Sequence, residues 1–170
     1  MKIYIAAVFS ALGVLASPTS ASLPVLPVAD GLYIGTVNEA GTFSWLSHGT
    51  ADVTAPDVAA RAPVPTPAPL TGAFCNDFRA GTVADINAAV EALVDACHDT
   101  YFSKAIALQR GGVVVYGCDY STVGQRCNGF SIAPFFKSIG EVCTLGRAGW
   151  YQEAEWKASY GYTRAGVGFC

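Results

Sequence analysis

The sequence predicts an α+β fold in which two helices pack on one face of a small antiparallel sheet, the whole stapled by disulfides. Three observations predict it. Two stretches place apolar residues at helical spacing, and each runs into a cysteine, Cys97 or Cys143. Glycine-bounded β-branched and aromatic runs lie between and after those stretches. Six cysteines, an even number, all fall between Cys75 and Cys170. The composition agrees: 52% of the 170 residues are hydrophobic and only 14% are charged, which suits one compact domain with appendages and excludes a disordered chain.

Met1-Lys2 gives a short positive start, Ile3 to Ala16 is an almost wholly apolar run of 14, and small residues follow at Ala16-Ser17 and Ser20-Ala21-Ser22. This is the tripartite layout of a secretory signal peptide over residues 1–21, with cleavage after Ala16 or Ala21. The run falls short of the roughly 20 residues that a membrane-spanning helix needs. A secreted, extracellular protein is expected, and with it an oxidising environment for the cysteines. Asn38, Asn76, Asn87 and Asn128 each lack a hydroxyl residue two positions on, so no N-glycan is expected.

Residues 22–72 form a cysteine-free, proline-rich leader in which Arg61-Ala-Pro-Val-Pro-Thr-Pro-Ala-Pro69 reads as an extended polyproline-like linker. Within it, Gly31–Val37 and Thr42–Leu46 are β-prone runs joined by the turn residues Asn38-Glu-Ala-Gly41. A lone hairpin is marginal in water, so it either docks on the cysteine-rich domain or belongs to a removable pro-segment. The proline-flanked Arg61 offers a protease an accessible cut and favours the pro-segment.

Residues 73–170 form the cysteine-rich α+β domain. Thr82 caps a helix over 83–99, with Asp85 in its first turn and Val83, Ile86, Val90, Leu93, Val94 and Cys97 on one face; Asp85, Glu91, Asp95 and Asp99 make a solvated acidic side. Gly111–Cys118 reads as a buried central strand. Ser131 opens a second helix of about 12 residues, with Pro134 in its first turn and Phe135, Phe136, Ile139, Val142 and Cys143 as its buried stripe. Period two then takes over: Trp150, Gln152, Ala154 and Trp156 on one face, Tyr151, Glu153, Glu155 and Lys157 on the other. Ser159–Arg164 suggests a last strand.

The six cysteines, Cys75, Cys97, Cys118, Cys127, Cys143 and Cys170, read as three disulfides. Spacing alone allows 15 pairings. Cys118 with Cys127 would clip a loop, and Cys75 with Cys170 would tie the ends. Successive intervals of 22, 21, 9, 16 and 27 residues contain no close ligand pair of the kind zinc uses and no C-x-x-C, so neither a metal nor another cofactor is expected.

Catalytic residues are equally absent from the motifs. A triad would have to use His98 with Asp99 or Asp119 and a serine such as Ser121 or Ser131, without a nucleophile elbow, and His98 near a helix C-terminus is explained by the helix dipole alone. Glu153 and Glu155 at i and i+2 read as a solvated strand edge rather than a glycosidase pair. The net charge of −3 lies mostly in the leader, and its sign argues against nucleic acid or anionic lipid as partner. The aromatic cluster Trp150, Tyr151, Trp156, Tyr160, Tyr162 and Phe169 is the better lead, because such rings build cores and also dominate binding hot spots. Trp150, Tyr151, Trp156 and Tyr160 are the candidate binding residues.

The order of signal peptide, proline-rich leader, Phe74-Cys75, a helix ending at Cys97, Val-Val-Val-Tyr-Gly-Cys118, a helix with Cys143, Ala148-Gly-Trp150, Trp156-Lys157, Tyr160-Gly161 and Gly168-Phe-Cys170 resembles the small cysteine-rich secreted proteins of filamentous fungi. Among these it is most similar to the necrosis-inducing, killer-toxin-like effectors, and Gly31-Leu-Tyr-Ile-Gly-Thr36 resembles leader elements of some of them. The resemblance implies a two-layer α/β sandwich, no cofactor, and action outside the producing cell on a host plant or competing microbe. It assigns no residue a role. The expected function is therefore that of a non-enzymatic virulence effector, acting as a monomer on a host or competitor protein, glycan or membrane target. The alternatives are a membrane- or channel-directed toxin with a determinant around Lys157 and Arg164, and a small hydrolase using His98.

Overall fold

The computed structural model describes residues 25–27, 29–48 and 70–170. Residues 1–21, expected to be a signal peptide, and the proline-rich stretch with Arg61 lie outside the described residues. The elements run β1 (Gly31–Val37), β2 (Phe43–Ser47), β3 (Gly72–Arg79), α1 (Val83–Ala96), β4 (His98–Phe102), β5 (Ala105–Arg110), β6 (Val113–Asp119), β7 (Gln125–Asn128), α2 (Gly129–Val142), a single 3₁₀ turn Thr144–Gly146, β8 (Arg147–Glu153) and β9 (Ala158–Arg164).

The fold is α+β with two helices and antiparallel pairing, but the sheet is not small. Seven strands pair in the order β2-β1-β5-β6-β9-β8-β3, and β4 with β7 makes a separate two-stranded ladder. Two of the seven come from the leader. The β1–β2 hairpin forms where the sequence places it, with Asn38 Oδ1 accepting the Thr42 N–H at 2.9 Å and Gly41 in the left-handed region its turn requires. It docks on the cysteine-rich domain through β1 and β5, from Gly31 opposite Gln109 to Gly35 opposite Ala105. A third addition, β5, is an alanine-interrupted apolar run with buried residues on both faces, so no alternation marks it in the sequence.

β6 lies in the middle and every one of its residues is buried. Val113 and Val115 face a core shared with α1 and α2, whereas Val114, Tyr116 and Cys118 face a second core on the opposite side of the sheet. In the first core Ile86, Ala89 and Leu93 of α1 and Ile132, Phe136 and Ile139 of α2 are sealed against the sheet. Among the described residues the second core holds no helix. It is built from Leu26, Tyr33, Phe43 and Trp45 of the leader together with Phe169 of the C-terminal tail.

Helix limits follow their caps. Thr82 Oγ1 accepts the Asp85 N–H at 3.2 Å, as expected, but α1 stops at Ala96, three residues short of the predicted end, because Cys97 caps it and Asp99 turns left-handed. The second helix begins before Ser131: Asn128 is the cap, its Oδ1 accepting the Ser131 N–H at 3.3 Å. Pro134 thus stands one turn deeper than predicted. The period-two pattern of the Trp150 region also ends early, at Glu153, and Trp156 occupies the turn between β8 and β9.

All six cysteines pair, as Cys75–Cys143, Cys97–Cys127 and Cys118–Cys170. This corrects the loop clip Cys118–Cys127 and the terminal tie Cys75–Cys170. Cys97 and Cys143 are the C-cap residues of α1 and α2, so two bridges pin helix ends, one to β7 and one to β3. Cys118 cannot reach along its own loop because its side chain points to the second core, where the tail ends.

Replacing Cys118 and Cys170 together with alanine opens a loop of 52 residues and should remove about 4 kcal/mol of unfolding free energy in the chain-entropy account. Guanidinium unfolding of the double variant checks this, and a loss below about 1 kcal/mol would show that the tail bridge does little to restrict the unfolded chain.

Candidate functional site

The helix-free face of the sheet carries one continuous row of side chains. Strand register places Tyr33, Ala107, Tyr116, Gly161, Trp150 and Phe74 side by side across β1, β5, β6, β9, β8 and β3. Large rings alternate with small residues in the middle of that row. Gly161 has to be glycine: a Cβ there would lie 2.6 Å from both the Tyr116 hydroxyl and the Gly149 carbonyl oxygen. Tyr116 and Trp150, the residues on either side of Gly161 in the row, line a cleft of about 300 Å³.

Each wall has a structural reason. Phe74 stacks beside Trp150 at 5.5 Å between centroids and holds the indole upright. Phe169, brought in by the Cys118–Cys170 bridge, stacks on Tyr116 at 4.4 Å. The Tyr120 hydroxyl and Ser159 Oγ share a hydrogen bond of 3.0 Å, and Asn76 of β3 lines the cleft with them. No lining side chain is charged. Burial, with Tyr120 nearby, pushes the Tyr116 phenol well above its ordinary range; burial also raises Tyr120 against the opposing effect of its Ser159 hydrogen bond. Both remain neutral hydroxyls, so the cleft offers rings, hydroxyls and an amide. No group of His, Cys, Asp or Glu suited to a metal ion occurs among the described residues.

The four aromatic residues singled out in the sequence divide between the two faces. Trp150 stands in the cleft. Tyr151 and Tyr160, opposite each other across β8 and β9, point to the helix side, where Phe135 of α2 stacks on Tyr151 at 4.6 Å and meets the edge of Trp156 at 5.3 Å. Tyr160 is fully buried and belongs to the core, while Trp156 is partly open to solvent. Tyr116, Tyr120, Asn76 and Ser159 were not singled out, because only the order of strands brings them beside Trp150. The alternation Val-Tyr-Gly-Cys within β6 is the one signal that puts Tyr116 on the face of Cys118.

The other sequence candidates do not converge. His98 lines a shallow cleft of about 390 Å³ with Asp95, Asp99, Asn128 and an exposed Phe130, and Asp99 Oδ1 accepts from Asn128 Nδ2 at 2.9 Å. Ser131 uses its N–H on Asn128. Asp119 and Ser121 sit at the other end of the β4–β7 ladder, where Asp119 Oδ1 accepts from the Ser121 N–H and from Gln125 Nε2. Glu153 accepts from Thr71 Oγ1 and from the Glu155 N–H, closing a turn. Lys157 and Arg164 flank β9 at opposite ends, about 20 Å apart.

No known family model, curated protein or solved structure matches this chain.

Tyr160, raised by burial and then by Asp119, joins Tyr116 as a phenol that cannot ionise while buried. An unfolded chain ionises both near pH 10. Stability should therefore be indifferent to these groups below about pH 9 and fall above pH 10, by about 1.4 kcal/mol per pH unit for each phenol. Phenolate absorbance followed alongside circular dichroism checks this: the absorbance of Tyr116 and Tyr160 should appear only with unfolding.

Proposed function

We propose that this protein is a secreted, non-enzymatic effector, a virulence factor that works outside the producing cell by binding a neutral glycan of a host or competitor through the cleft around Trp150. The observation that carries the reading is the cleft itself: an indole stacked on Phe74, the Tyr116 ring beside it, and the hydroxyls of Tyr120 and Ser159 with Asn76, with no charged side chain in the lining. A sugar ring has one apolar face for an aromatic wall and an edge of hydroxyls for Tyr120, Ser159 and Asn76. Three disulfides and a doubly covered central strand supply the durability that an extracellular, protease-rich setting demands. No described helix is long and apolar enough to cross a membrane. The resemblance to fungal necrosis-inducing, killer-toxin-like effectors supports the same setting.

Titrating soluble β-glucan, chitin and galactan oligosaccharides into the purified protein, with indole emission as readout, tests the reading. One glycan class should saturate the protein; Trp150→Ala should weaken it at least tenfold and Trp156→Ala should leave it unchanged. Absence of any saturable neutral glycan, or indifference to Trp150→Ala, overturns the proposal. His98→Ala should leave both binding and biological activity intact, and loss of activity in a folded His98→Ala protein would favour a hydrolase instead.

A further inference from the structure

The β1–β2 hairpin meets the rest of the protein only through noncovalent contacts, apart from its connection through residues 49–69. All six cysteines lie outside it. Its contacts are nonetheless those of an integral element. β1 adds a full ladder to β5, Tyr33 and Phe43 are each only 2% exposed, and Leu26 and Trp45 are buried with them in the second core. The receiving surface is shaped for this. Ala105 and Ala107 of β5 leave a hollow, Val114 and Tyr116 of β6 form its floor, and Phe169 closes one side, 5.7 Å from Trp45. On the hairpin, Gly35 is bare because Phe43 and Trp45 lie over it; a Cβ there would stand 2.5 Å from the Phe43 ring. Asp30 Oδ1 accepts the Gly111 N–H at 2.8 Å and fixes the entry to the hairpin against the β5–β6 turn.

Topology separates the hairpin from its connection. β2 and β3 are opposite edges of the sheet, about 29 Å apart across six strand spacings, and residues 48–71 reach at most about 80 Å. The docking contacts all lie on the β5 side, so none depends on the β3 end.

We propose that the flank of β5, with the alanine hollow beside it, is a strand-acceptor site whose occupant is this chain's own segment 25–48, held by ladder hydrogen bonds and ring burial rather than by the connecting chain. Proteolytic cleavage between residues 49 and 69 then yields a two-piece protein and does not shed the leader. The retained piece also keeps Trp45 against Phe169, the residue that walls the Trp150 cleft, so the cleft keeps its shape after processing. Without the hairpin, β5 would expose an unpaired edge and the second core would open to water.

The test uses the full-length chain with a site-specific protease sequence inserted within 49–69, cut after folding and passed through size exclusion into native mass spectrometry. Both pieces should travel together at the mass of the uncut protein plus one water and part only in denaturant. Gly35→Val, which forces Phe43 off β1, should release the cut piece at least 100-fold faster, whereas Leu46→Ser on the exposed side should not change its release. Prompt loss of the N-terminal piece on cutting, whether the remainder stays folded or precipitates, overturns the proposal. Hydrogen exchange on the uncut chain gives an independent reading: β1 amides should be protected to the same degree as those of β5, and unprotected β1 beside protected β6 would also overturn it.

Discussion

Burial of β6 on both faces is the constraint from which the rest of the architecture follows. A strand of Val113, Val114, Val115 and Tyr116 has no polar side to give to solvent, so each face needs a cover. The domain has only two helices, and both lie on one side, where they seal Val113 and Val115. The opposite side must be covered by something else. It is covered by the leader hairpin and by the last residues of the chain, each contributing aromatic rings where a helix would have contributed aliphatic side chains. The cleft is what remains where that improvised cover stops short, between Tyr116 and Trp150.

The disulfides divide the labour along the same line. Cys97–Cys127 and Cys75–Cys143 hold the ends of the two helices on their side of the sheet, and Cys118–Cys170 holds the tail on the other. Only the last bears on the cleft, because it delivers Phe169 to Tyr116. The aromatic cluster of Phe135, Tyr151, Trp156 and Tyr160 on the helix side is continuous with the core and stabilises the β8–β9 hairpin, whereas the rings around Trp150 border open space.

Local signals were legible wherever a side chain acts on its own neighbours. Thr82 announces α1 through its cap, Asn38 and Gly41 announce the hairpin turn, and the valine run announces the central strand. What the sequence leaves open depends on partners far along the chain. Nothing near Cys118 says that its side chain faces Cys170 rather than Cys127, because that choice rests on which face of β6 it occupies. Trp156 looks like a continuation of the Trp150 face until the chain turns at Ala154, and β5 is silent because burial on both faces erases alternation. The cleft is the least legible part: Asn76, Tyr116 and Ser159 come from three strands whose adjacency is a property of the whole sheet.

Two pairings toward the ends of the sheet have a bearing on how the chain is assembled. β1 waits for β5, whose paired residues lie 70 to 78 positions downstream, and β3 waits for β8, 68 to 80 positions on. As the polypeptide emerges from the ribosome, neither pairing is available until most of it has been made, and such a high contact order slows folding toward the millisecond-to-second range. Two of the cross-links share this delay, since Cys75–Cys143 and Cys118–Cys170 join positions 68 and 52 residues apart, whereas Cys97–Cys127 spans 30 and can close on a shorter length of chain.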